Sequence, residues 1–233
     1  MTVFKYAFMR GIKSPASLIL NCVMPLALII LNPTMGFGPL GGEQNRLPFL
    51  VALLIIFGGF YIARSIQIDK MDGTIIRILA GPVTMRSYLV QNFLSAMIPM
   101  TVLSLLIGVL GFTIHSWDLY FAVGLAVCYI FLAATSIGLS FVWSCLFKDK
   151  EASSAVFAVL ITAVASLSGL MIPFALLPNF LQYIGAMFPA QWANRSLDAL
   201  VVYGMNMHFW LGILAMFLFT VAFLLYGGKR RLI

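Results

Sequence analysis

The residues with which this chain could do chemistry are few, and they do not converge. His115 and His208 lie far apart, each beside an apolar stretch, with no second His, Cys or carboxylate at metal-ligand spacing. Cys22, Cys128 and Cys145 sit inside apolar runs without C-x-x-C spacing, as small buried apolar residues do. No Ser/His/Asp set is visible, so nucleophilic catalysis has no constellation to work with. No carboxylate falls in the middle of an apolar run, where it would mark a proton or ion path. No metal site and no catalytic residue is expected on this chain.

The polar residues inside the apolar runs are mild ones. Asn21 is the strongest, because its amide needs a partner once it leaves water. Ser136, Ser140 and Ser144 repeat at i+4 steps on one helical face, and Ser154, Ala158, Thr162 and Ser166 repeat the same way further on. Small residues in such rows let helices approach closely. Asn21, Ser136, Ser140, Thr162 and Ser166 are therefore candidates for helix packing first, and for lining a substrate path second.

The most informative segment is polar and runs from Asp69 to Pro82: Asp-Lys-Met-Asp-Gly-Thr-Ile-Ile-Arg-Ile-Leu-Ala-Gly-Pro. Thr74 can cap a helix start, Gly81 fits a left-handed stop, and Pro82 forbids continuation. About two turns fit between them. Ile75, Ile78 and Leu79 share one face at i, i+3, i+4. An apolar stripe on a loop must be buried, either on its own domain or in a partner protein. Thr84 is placed to cap the next helix.

The elements that carry these residues follow from composition. Of 233 residues, 62% are apolar and 9% charged, against about 25% charged in soluble domains. The chain reads as a single membrane domain over residues 1–233. It lacks a G-x-x-x-x-G-K-[ST] phosphate loop, so any ATP used must be bound by another chain. Apolar runs predict six spans: roughly Ser17–Leu31, Leu47–Ile66, Tyr88–Ile114, Leu119–Phe147, Ala152 to near Pro173, and Phe209–Tyr226, the last closed by Gly227 and Gly228. A breaker-rich loop with Pro33, Gly36, Gly38 and Pro39 follows the first span, and His115–Asp118 make a tight turn after the third.

Charge fixes the expected orientation. Twelve of the fourteen Lys and Arg residues fall at the two ends and in two alternate gaps, while Arg46 and Arg195 alone occupy the other gaps. The positive-inside rule puts both termini in the cytoplasm of a multi-pass plasma-membrane protein. The net charge of +7 is spread without a basic cluster longer than Lys229-Arg230-Arg231, which points to membrane lipid and not nucleic acid. Lys5, Arg10 and Lys13 lie off a face made by Phe4, Ala7, Phe8, Gly11 and Ile12, the pattern of a short interfacial helix. That start resembles a signal peptide, but Asn21, Pro25 and the missing small-x-small site favour an uncleaved first span.

The charge-free run from Ala152 to Asn194 has 43 residues, while one tilted helix takes at most about 25. It must break, and Pro173, Pro178 and Pro189 are the expected points. Asn179 to Phe188 is too short to cross and fits a re-entrant or outer helix.

The 69–82 loop resembles the coupling segment between the second and third spans of type-2 ATP-binding-cassette (ABC) permeases, which reads acidic-x-G-T-x-x-x-L-x-x-x-P. Asp72, Gly73, Thr74, Leu79 and Pro82 match with allowance for spacing. The family's Glu two residues after the Thr is Ile76 here, followed by Arg77. The proline-broken run with Pro173, Leu177, Pro178, Leu181, Ile184 and Pro189 is similar to the family's outer short helices, and the amphipathic start to its connecting helix.

The resemblance implies an all-α permease subunit with six spans. It implies a second permease copy or homologue, and a cytoplasmic ABC ATPase that holds the ATP and Mg. No cofactor is expected on this chain. Asp72, Gly73, Thr74, Ile75, Arg77, Ile78, Leu79 and Pro82 would seat in the ATPase, and transport would run outward, of a drug-like, peptide or lipid-like substrate. On that reading Leu79→Asp releases or uncouples the ATPase. A stand-alone ion-coupled carrier or channel is the alternative, with an integral membrane enzyme behind it.

Overall fold

The computed structural model describes residues 2–13, 19–35, 47–80, 84–146, 150–172 and 176–229. Over these the chain is helical. In order the helices are α1 (Thr2–Lys13), α2 (Met24–Met35, entered through a π-helical turn at Ile19–Val23), α3 (Leu47–Met71), α4 (Thr74–Leu79), α5 (Met85–Ile114), α6 (Leu119–Leu146), α7 (Lys150–Leu167), α8 (Asn179–Gly185), α9 (Pro189–Tyr203) and α10 (Met207–Lys229). Four of them, within α3, α5, α6 and α10, are long and apolar enough to cross a membrane. These are the expected second, third, fourth and sixth spans. The apolar part of α7, Ala152–Leu167, and the 17 residues from Ile19 to Met35 are shorter. At 1.5 Å per residue each rises about 25 Å, somewhat less than a hydrocarbon core of about 30 Å.

Helix α6 is the hub, packed against α3, α5, α9 and α10. Its small and hydroxyl residues explain the closeness. A Cβ on Gly59 of α3 would overlap the Ser136 hydroxyl, with Ser136 O at 2.8 Å and Ser140 Oγ at 2.9 Å. Ser136 Oγ donates to Ile56 O at 2.7 Å, and Ser140 Oγ to Gly59 O at 2.6 Å. Interhelical bonds of this kind contribute about 0.6 kcal/mol each in membranes. Their larger effect is to fix the register of α6 on α3. The main apolar core joins Phe49, Ile55, Leu125, Tyr129, Phe157, Leu197 and Phe209 from five helices.

Local rules explain most of the helix ends. Thr84 caps α5: its backbone is extended, and its hydroxyl accepts from Ser87 N–H at 3.3 Å. The turn between α5 and α6 runs through Ser116 at φ 53° to Asp118, whose carboxylate accepts from Tyr120 N–H at 3.3 Å. Pro33 has no N–H to give the Ile29 carbonyl four residues earlier. The ring of His115 takes that carbonyl instead, Nε2 at 2.9 Å from Ile29 O, and stacks on Trp117 at 5.1 Å. His115 is therefore a structural donor here rather than a solvated surface residue.

Several boundaries differ from the sequence reading. Helix α3 runs past Ile66 to Met71, because Gln67 and Asp69 find buried partners there. Helix α7 stops at Leu167, short of Pro173. Gly169 takes φ 87°, and Met171 N–H bonds back to Ala165 O at 3.2 Å. Gly227 and Gly228 do not close α10, which continues to Lys229; Gly227 lies where a Cβ would sit 3.5 Å from the Phe141 Cβ. Pro178 caps α8 and Pro189 opens α9 as expected, but α9 itself, fifteen residues long, was not anticipated. Pro173, Gly81, Pro82, Lys148 and Asp149, the glycines of the 36–46 loop and the Arg230-Arg231 tail lie outside the described residues.

Candidate functional site

Helix α4 hangs from the end of α3 on an elbow. Asp72 N–H closes on Ile68 O at 2.9 Å and Gly73 N–H on Lys70 O at 3.3 Å. Gly73 then adopts φ 65°, ψ 13°, and occupies the N-cap position. That left-handed backbone costs a residue with a Cβ about 1 kcal/mol or more, and glycine nothing. Thr74 is thus the first helical residue and not the cap, and the cap position makes no side-chain bond. Ala80 closes the helix with its N–H on Ile76 O.

The elbow divides α4 into two faces. Ile75 is 1% exposed, in a cluster with Ile66, Tyr88, Leu89, Ile137 and Phe141, and Ile78 packs against the same cluster. Both residues therefore meet the chain's own bundle, which removes Ile75 from any surface offered to a partner and leaves Ile78 half-buried at its edge. The opposite face carries Met71 (57% exposed), Asp72, Ile76 (56% exposed), Arg77 and Ala80. The side chain of Leu79 lies outside the described residues. Helix α1 lies at this same end of the bundle. Its Phe4 N–H donates to Gln91 Oε1 at 3.2 Å, and Phe4 and Phe8 stack beneath it at 6.2 Å.

A buried polar frame holds the elbow. Tyr88 OH donates to Asp69 Oδ2 at 2.8 Å, joining α3 to α5. Gln67 Nε2 donates to Ser144 O and to Ser153 Oγ, both at 3.3 Å, joining α3 to α6 and α7. Trp143 Nε1 reaches Ser153 O and Oγ at 3.2 Å. Ser144 O belongs to the last turn of α6, where carbonyls have no helical donor of their own.

The two hydroxyl rows separate. Ser136 and Ser140 are buried packing residues between α6 and α3. Thr162 and Ser166 lie on the open side of α7 with exposed Ala155, Val156, Val159 and Ala163. Their hydroxyls bond back to Ala158 O and Thr162 O, at 2.8 and 2.9 Å. The side chain of Asn21 lies outside the described residues.

The end of the bundle away from α4 is closed by α9. Its Leu200 meets Gly124 of α6, Ala193 O lies 3.9 Å from Cys128 Sγ, and Ser196 Oγ donates to Phe209 O at 3.2 Å. A family model described as ABC-2 family transporter protein matches residues 19–228, which takes in every helix from α2 to nearly the end of α10. The chain belongs to the ABC-2 transporter family. It is accordingly a membrane permease of an ABC transporter. No curated protein matches the chain in a sequence comparison.

Within this ABC-2 permease two features escaped the sequence. Among the described residues, Gln191, 1% exposed on α9, has no hydrogen-bond partner for either amide atom, and buried Asn194 has none for Oδ1 although its Nδ2 donates to Asp198 at 3.1 Å. The Gln67–Asp69 frame was equally hidden, because its partners lie 19 to 86 positions away. The one available signal was the placement of two polar residues, Gln67 and Asp69, directly after an apolar span, at an i, i+2 spacing that turns them to nearly opposite sides of one more helical turn.

Proposed function

We propose that this chain is the membrane half of an ABC exporter and that the outward face of the elbow and α4, Met71 and Asp72 with Ile76 and Arg77, is the surface gripped by a separate cytoplasmic ATPase. The observation that carries this reading is the division of α4. A six-residue helix cannot stand alone in water, and here one face is seated by Ile75 and Ile78 while the other presents an apolar residue flanked by an acid and a base. A seated helix transmits displacement; a loose loop would not. Ile76 and Arg77 stand where the family pattern has its Glu, so the contact here is apolar and cationic at that point.

In this reading there are six spans, Ile19–Met35 and α7 crossing where the bilayer thins locally, and both termini and α4 lie in the cytoplasm of a plasma-membrane protein. That assignment rests on the charge asymmetry. A second permease packs on the open α7 face, where Ala155, Val159, Thr162 and Ser166 allow close approach. The substrate passes outward between the two permeases. The apolar character of the described interior favours drug-like, peptide or lipid-like cargo over small ions. ATP and Mg stay on the partner ATPase, and this chain supplies no catalytic residue.

Reconstitution tests the reading. In liposomes, the purified permease with its cognate ATP-binding subunit should hydrolyse ATP at a rate that depends on the permease. The chain alone should show neither ATP turnover nor gradient-driven flux. Ion-gradient-driven flux by the chain alone would favour the stand-alone carrier instead.

A further inference from the structure

We infer that Gln67 and Asp69, with Tyr88 and Ser153, form a polar latch that makes α4 move as one body with the starts of α5 and α7 and the end of α6. This deepens the function proposed above and rests on it. The last two turns of α3 would be solvated if α3 simply projected from the membrane. Instead Ile66 and Gln67 are 1% exposed and Asp69 is 7% exposed. The apolar cluster of Ile75, Leu89 and Phe141 seats α4, but burial has no preferred direction and does not by itself fix the register of the neighbouring helix ends. Hydrogen bonds made away from water are directional and costly to leave unmade.

The three bonded neighbours are the three helix ends nearest the elbow. Tyr88 is in the first turn of α5, Ser144 in the last turn of α6, and Ser153 in the first turn of α7. Ser153 Oγ lies within reach of both Gln67 Nε2 and Trp143 Nε1, so one hydroxyl ties α3 to both arms of the α6–α7 hairpin. A push on Ile76 or Arg77 is then delivered to all three helix ends at once. Without the latch it would be absorbed by slippage at the elbow.

The experiment uses the permease–ATPase complex in lipid nanodiscs with Mg-ATP as the probe. The variants are Tyr88→Phe, Gln67→Leu and the two combined. Tyr129→Phe is the control. It deletes an equally buried tyrosine bond, OH to Pro48 O at 2.9 Å, at the other end of α3. The latch predicts that the variants bind the ATPase within about 2-fold of wild type while the permease-dependent part of ATP turnover falls about 10-fold in the double variant, a coupling loss of about 1.4 kcal/mol. Tyr129→Phe should lower thermal stability by a similar amount and leave turnover coupled. Variants that behave as Tyr129→Phe does, in a wild-type complex that forms and is stimulated, overturn the latch alone. A wild-type complex that never forms overturns the proposed function and the latch with it.

Discussion

Ile75 and Ile76 are chain neighbours that should respond oppositely to the same substitution. Ile75→Asp removes a side chain that is 1% exposed among Ile66, Tyr88, Leu89, Ile137 and Phe141. The lost burial is about 1.5–3 kcal/mol, and a carboxylate placed there without a partner adds about 1–3 kcal/mol more. Against a total stability of about 5–15 kcal/mol, that is enough to cut the yield of folded permease and lower its melting temperature whether or not the ATPase is present. Ile76→Asp alters a residue already 56% exposed, so the isolated permease should change by less than about 0.5 kcal/mol. In the complex the same change forfeits about 1 kcal/mol of apolar burial and strands a charge at about 1–3 kcal/mol. The sum, roughly 2–4 kcal/mol, weakens ATPase binding about 30-fold or more. Thermal unfolding of the detergent-solubilised permease and titration with labelled ATPase read the two effects separately. An Ile76→Asp variant that binds the ATPase as tightly as wild type, or an Ile75→Asp variant that folds normally, refutes the assignment of faces.

Other expectations follow from single contacts. Gly59→Ala drives a methyl group into the Ser136 hydroxyl and should cost about 1–3 kcal/mol, seen as a lower unfolding temperature; an unchanged value would mean that α3 and α6 can separate freely. His115→Ala strands the Ile29 carbonyl that Pro33 cannot serve, a loss of about 1–3 kcal/mol by the same measurement, and His115→Gln should recover part of it. Gln191→Leu replaces an amide without partners among the described residues by an apolar group of similar size, so it should leave stability unchanged or raise it; a clear fall in unfolding temperature would show that the amide is satisfied in the folded protein.

The contrast between Thr84 and Gln67 shows what a sequence can reveal here. Thr84 caps a helix whose first donors lie three residues on, so its role is local and readable. The long apolar runs of α3, α5, α6 and α10 were legible for the same reason: lipid demands a continuous run, and the run is visible. The short helix between Gly73 and Gly81 was also legible, from its breakers and its i, i+3 stripe, but which way the stripe faces was not. Ile75 is turned inward into the cluster with Tyr88 and Phe141, thirteen and sixty-six positions later in the chain, and no local rule selects between bundle and partner.

The other misses were of the same kind. Asp69 opens the polar segment and Gln67 precedes it, and the buried role of both is invisible in the sequence because their partners are distant. Pro173 is the strongest breaker after α7, but Gly169 ends the helix before it by taking a left-handed conformation. Helix α9 carries Ala190, Ala193, Leu197 and Leu200 at helical spacing after Pro189, a signal that was present but diluted by Gln191, Asn194, Arg195 and Asp198. Polar residues on a buried face weaken the period by which amphipathic helices are found.

The central claim is that a separate nucleotide-driven subunit holds the outward face of α4. A photoreactive amino acid placed at Ile76, and in a parallel sample at Val159 on the open side of α7, tests it most directly when irradiated in intact cells that produce the full chain. The account predicts that Ile76 cross-links to a protein whose peptides include a G-x-x-x-x-G-K-[ST] phosphate loop, and that Val159 cross-links to a permease or to lipid. Recovery of the phosphate-loop protein from Val159 and not from Ile76, or from neither position, would contradict it.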